Sequence, residues 1–155
     1  MDATPDPHVV GDGRLPTPFT ADEIRQGCLE GRTVRLRVEP ASGTAYQRVN
    51  RYADCDADGT TVESWVVGEG GEQVGFAANR QTWLDLQRHA AFPVAGTAVT
   101  DETLDLRFGT FACRVYSREG ARFLFAVDLP GMPVRYEIPD EGGVTVTEMV
   151  ADERT

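Results

Sequence analysis

"FLFAVDLPGMPVRYEI", residues 123–138, is the stretch on which the fold reading turns. It reads as two apolar-alternating strands around a Leu-Pro-Gly-Met-Pro knuckle. After the knuckle, Val134, Tyr136 and Ile138 alternate with Arg135 and Glu137, the period of two that a half-buried strand requires. Upstream, "TLDLRFG" places Leu104, Leu106 and Phe108 inward against Asp105 and Arg107, and "FACRVYS" follows the Gly109-Thr110 turn. Downstream, the "DEGG" turn leads into "VTVTEMVA".

The same rhythm fills the first half. In "TVRLRVEP", Val34, Leu36 and Val38 face one way and Arg35, Arg37 and Glu39 the other. Turns at 41–44 and 56–59 set off strands at "AYQRVNRYADC" and "TTVESWVVG", and a short strand "QVGFAA" follows "GEGGE". Two helices interrupt the strands. "TADE" is a capping box at Thr20 and Glu23, predicting a short helix over about Ala21 to Gly27. Thr82 caps a longer one through "WLDLQRHAA", with Trp83, Leu86 and Ala90 as its apolar stripe, and the "FP" pair ends it.

The sum is a mainly β chain: about nine antiparallel strands joined by short turns. A sheet of that size must curl. It becomes a closed barrel, or a half-barrel with helix 82–91 laid across its concave mouth. Residues 1–18, with four prolines, are expected to be a flexible lead-in to a single domain over 19–155.

Composition narrows the partners. The chain of 155 residues carries a net charge of −10, and all 15 of its basic residues are arginine, a bias expected of a GC-rich bacterial genome. Such acidity disfavours nucleic acid and anionic membrane surfaces. No run of 18 apolar residues is present for a membrane span. The start lacks a basic segment followed by an apolar one, so a cytoplasmic location is expected. No cofactor motif is found.

Taken together and in this order after a helix, "LRFGTFACRVY" and "FLFAVDLPGMPVRYEI" resemble the C-terminal half of bacterial half-barrel proteins of the LolA and LolB kind, over residues 95–150. The resemblance implies a concave sheet that binds acyl chains or other apolar molecules. Neither a signal peptide nor a lipobox cysteine is expected from the sequence as it stands, a departure from the lipoprotein carriers that sets lipoprotein traffic aside and leaves apolar-ligand binding.

Candidate site residues follow. Trp65, Trp83, Leu86, Leu106, Phe108, Phe123, Phe125 and Tyr136 are the expected ligand-binding wall. Tyr52 and Trp65 are predicted to face each other across the second hairpin. Asp54, Asp56 and Asp58 before Gly59 match the first half of a calcium loop, but its twelfth position is Trp65 rather than Glu, and a solvated turn is the stronger reading. Register arithmetic across the first hairpin brings Cys55 near Cys28, a candidate disulfide in an oxidising compartment and two neighbouring thiols otherwise. His89 and Asp85 are a helix-surface ion pair or a catalytic pair at the barrel mouth, and Arg35, Arg37, Arg48 and Arg51 a charged face or a carboxylate clamp. No catalytic signature stands out. The leading expectation is non-catalytic binding of a fatty acid, lipid or polyketide-like compound. Beside it stand a solid-core interaction domain that forms a homodimer, and an enzyme acting in the same cavity.

Overall fold

The computed structural model describes residues 6–28 and 31–154. Nine strands and two helices follow in the order α1 (Ala21–Cys28), β1 (Arg32–Glu39), β2 (Tyr46–Ala53), β3 (Gly59–Val67), β4 (Gln73–Thr82), α2 (Trp83–Arg88), β5 (Ala98–Leu106), β6 (Gly109–Arg118), β7 (Ala121–Ala126), β8 (Arg135–Asp140) and β9 (Gly143–Arg154). Both capping boxes form. At α1, Thr20 Oγ1 accepts from the Glu23 amide at 3.2 Å and Glu23 accepts from the Thr20 amide at 3.0 Å. At α2, Thr82 and Asp85 make the same reciprocal pair. The α2 helix is shorter than expected: beyond Arg88 the chain tightens to i→i+3 bonds from His89, Ala90 and Ala91.

The sheet is wholly antiparallel, in the order β4-β3-β2-β1-β9-β8-β7-β6-β5. Hairpins walk outward from β1 to the edge at β4. The chain then crosses to the far edge at β5 and walks back until β9 pairs with β1 in the middle. That crossing dictates the curvature. Flat, nine strands at ~4.8 Å spacing would hold the two edges about 38 Å apart. The link is the six-residue α2, ~9 Å long, and the segment 89–97, at most ~30 Å if fully extended. The segment is not extended, since it turns at 89–91 and bridges Pro93 to Arg14. The sheet therefore curls so that its edges approach, and α2 spans its open side. β4 and β5 are not paired, so the half-barrel is the form adopted and the closed barrel is not.

The β1–β9 seam carries the core. Val34, Leu36 and Met149 are buried on its inner face, as the alternation of β1 predicts. Arg32 lies on that face too and is fully buried. Its guanidinium binds both carboxylate oxygens of Asp152, at 2.9 and 3.0 Å. A third nitrogen donates to the Pro130 carbonyl at 2.5 Å. The knuckle after β7 is thus drawn inward over the seam rather than left as a surface turn. Gly131 is required there: its φ is +130°, and a Cβ would meet the Arg32 guanidinium at 2.9 Å.

Residues 6–18, expected as a flexible lead-in, are tied to the fold. Thr17 is buried, and the buried Gln87 of α2 donates to Thr17 and to the Pro7 carbonyl while accepting from the Ala21 amide. The Tyr116 hydroxyl donates to the Pro16 carbonyl at 2.9 Å. One amide side chain therefore joins the N-terminal segment, α1 and α2.

Breaking the seam pair strands a buried guanidinium. Asp152→Ala is expected to lower the unfolding free energy by about 3–5 kcal/mol in urea titrations. Arg37→Ala, which removes only the exposed Arg37–Glu39 pair, is expected to cost no more than about 1 kcal/mol.

Candidate functional site

A cavity of about 320 Å³ lies between the inner face of the sheet and the two helices. Its floor on one side is Asn50 and Tyr52 of β2 with Val62 of β3, and on the other Phe123 and Phe125 of β7 with Tyr136 of β8. Ile24 of α1 and Leu86, His89 and Ala90 in and after α2 form its roof, with Phe92 just beyond. The knuckle closes it through Gly131, Met132 and Pro133, and the Asn50 amide donates to the Met132 sulfur at 3.6 Å. Gln81 at the end of β4 completes the rim.

Antiparallel partners share a face, so the pairings decide which side chains reach this space. Tyr136 pairs with Phe123, and Phe123 with Tyr116. Phe92 packs on Phe123 at 5.2 Å between ring centroids, and Tyr136 on Phe123 at 6.3 Å. One wall is therefore a run of aromatic rings, each contact within the range where ring pairs attract.

Leu86, Phe123, Phe125 and Tyr136 line the cavity among the residues expected there. The other four lie elsewhere. Trp65 pairs with Val49, not with Tyr52, and occupies the outer face. It stacks on Phe76 at 6.1 Å, with the Arg51 guanidinium 5.4 Å above its ring. The cause is the turn before β3. Asp56 Oδ1 accepts from the amides of Asp58 and Gly59, and this tight loop shifts the hairpin register by three, so Tyr52 meets Val62 instead. An odd shift turns Trp65 to the opposite face. Leu106 is buried, but on the face shared by Phe111, Cys113, Val115 and Leu124, which is opposite to Phe123. That end of the sheet is apolar on both sides, and alternation could not distinguish them. Phe108 sits in the β5–β6 turn, exposed and packed on Phe111. Trp83 is buried under α2, its Nε1 donating to the Asp56 carbonyl at 2.8 Å.

The acidic turn holds an arginine. Asp56 Oδ2 accepts from Arg80 at 2.6 Å, and Arg80 also donates to the Asp54 carbonyl. The amides of the turn, followed by Arg80, hold the Asp56 carboxyl below its usual range. Among the described residues no group of three His, Cys, Asp or Glu side chains is arranged to hold a metal. Cys28 and Cys55 stand side by side as free thiols, with the Cys55 thiol donating to the Cys28 carbonyl at 3.1 Å. Asp85 is engaged by the cap of α2, with Arg88 and His89 acting on it through their charge, and His89 lines the cavity rim. The four arginines divide: Arg35, Arg37 and Arg51 lie on the outer face beside Glu153, Glu39 and Glu63, while Arg48 lies on the inner face.

The cavity's least expected member is Tyr52. It is 5% exposed, and among the described residues its hydroxyl has no hydrogen-bond partner. Burial pushes its pKa up to about 12, with Cys28 adding to the shift and Arg32 opposing it. Its strand position was legible, but its inward face depended on the register of β1 against β2, in which Arg32 pairs with Tyr52.

No family model matches the chain, and no curated protein matches it. Among solved structures, it is similar to a LolA superfamily protein from Nitrosomonas europaea, at 10% identity and a TM-score of 0.27 over 88% of this chain and 94% of that one.

Because the native Tyr52 pKa lies above the ordinary value near 10, the unfolded chain ionises first as pH rises. The stability this tyrosine confers is whole below pH ~10 and is lost on the way to pH ~12, amounting to roughly 2–3 kcal/mol. Urea titrations across that range are expected to show Tyr52→Phe losing correspondingly less stability than the wild type.

Proposed function

We propose that this protein binds an apolar small molecule in the cavity between the curved sheet and its helical roof. The observation that carries this reading is the cavity itself. Protein interiors pack to crystal-like density and keep few voids larger than a water. Here a space of about 320 Å³ persists beside a well-packed seam, walled by aromatic and aliphatic side chains with a few polar tips. Its volume stands at the lower end of the ~300–1,000 Å³ typical of small-molecule sites. Apolar burial at ~25 cal/mol per Å² supplies the driving force for any ligand whose body matches those walls.

The classes expected from the sequence, a fatty acid, a lipid or a polyketide-like compound, share an apolar body that suits this space. The roof supports the same reading. It is built from short elements, α1 of eight residues and α2 of six, joined to each other through Gln87. Such a roof separates from the sheet more readily than a strand leaves its ladder.

Purified protein is expected to bind an apolar fluorescent probe such as 1-anilinonaphthalene-8-sulfonate or Nile red with saturable stoichiometry. Leu86→Trp places an indole in the cavity from α2 and is expected to weaken the probe at least about tenfold, a loss of ~1.4 kcal/mol, with an unchanged circular dichroism spectrum. Failure of the wild type to bind either probe, or undiminished binding by Leu86→Trp, would refute the reading.

A further inference from the structure

Tyr52 and its surroundings say more about the occupant than apolarity alone. The lining described above holds no arginine, aspartate or glutamate, and His89 is its one basic side chain. The nearest buried cation, Arg32, has its charge matched by Asp152 and its third bond taken by the Pro130 carbonyl. Arg48 lies on the same inner face, has no ion pair among the described residues and keeps its Nε buried without a partner, but it does not line the cavity. An anionic head group placed here would lose its hydration without gaining a counter-charge, and would do so in a protein of net charge −10.

What the cavity offers instead is a neutral donor. The Tyr52 side chain is buried, and its hydroxyl, which has no protein partner among the described residues, keeps accessible surface beside the cavity. Like any tyrosine it is protonated through the neutral range, and burial raises its pKa further. Tyr136 faces the same space from β8, two strands beyond the seam. Opposite the donor, the Phe92, Phe123 and Tyr136 rings present a continuous aromatic wall.

We infer that the ligand is a neutral, flat, largely apolar compound carrying a hydrogen-bond acceptor such as a ketone, ester or ether, which the Tyr52 hydroxyl engages. This rests on the binding reading above and narrows it: a polyketide-like or other cyclic neutral compound fits the site, and a free fatty-acid anion does not.

The test compares three probes of one shape: 2-acetylnaphthalene, 2-ethylnaphthalene and 2-naphthoate, titrated by calorimetry into wild type, Tyr52→Phe and Tyr136→Phe. The ketone and the hydrocarbon are both expected to bind, and the carboxylate to bind more weakly than either. Tyr52→Phe is expected to reduce the ketone-to-hydrocarbon affinity ratio roughly three- to tenfold, as loss of one neutral hydrogen bond predicts. Tyr136→Phe distinguishes a shared donor from a single one, with a smaller drop in the ratio confirming Tyr52 as the main donor. The inference is overturned if 2-naphthoate binds most tightly, or if Tyr52→Phe leaves the ratio unchanged. If the hydrocarbon and the ketone both fail to bind wild type, the binding reading itself falls, and this inference with it.

Discussion

The buried pair between Arg32 and Asp152 is the constraint on which the rest of the structure depends. It sits where β1 and β9 meet, the one place where the two halves of the sheet join. A fully desolvated arginine is tolerable only when its donors are satisfied. Two of its bonds go to Asp152 and a third to the backbone of the knuckle. The same group therefore pins strand to strand and loop to sheet. With the knuckle drawn inward, α1 packs above it, with Gly27 against Pro130, and the cavity acquires a closed end.

The rest of the roof is organised by a second buried polar group. Gln87 has no charge to neutralise, yet it serves three backbone or hydroxyl partners, two in the N-terminal segment and one at the start of α1. Hydrogen bonds of this kind add modest net stability but strong directionality, because any misplacement leaves a buried amide unsatisfied. The sheet and the roof are thus positioned by different chemistry, an ion pair below and an amide network above, with the apolar space between them.

Much of this was legible in the sequence. The period-two strands, the Thr20 capping box, the Thr82 cap and the curl of a nine-stranded sheet follow from local rules, and the resemblance of the knuckle motif pointed to a half-barrel. The site was legible only in part. Phe123, Phe125 and Tyr136 announced themselves by alternation, but Trp65 depended on a register that one aspartate-centred turn shifts by three residues. Leu106 could not be assigned because β6 and β7 bury apolar side chains on both faces. Asn50, Gln87 and the inward turn of Tyr52 were missed because a polar side chain that faces inward has no periodic signature. Nothing local marks Arg32 for burial, because its partner Asp152 lies 120 residues later.

The crossing from β4 to β5 has a consequence for how such a cavity changes over time. The two edges of the sheet are tethered by one covalent strap, α2 with residues 89–97. A strap of fixed length limits how far the half-barrel can flatten, so it sets the breadth of the space beneath it. Lengthening that segment would let the edges part and enlarge the space, with every wall residue unchanged. Loops tolerate such insertions at small entropic cost. The capacity of the site and the chemistry of its walls are therefore separately adjustable, one by segment length and the other by side chain.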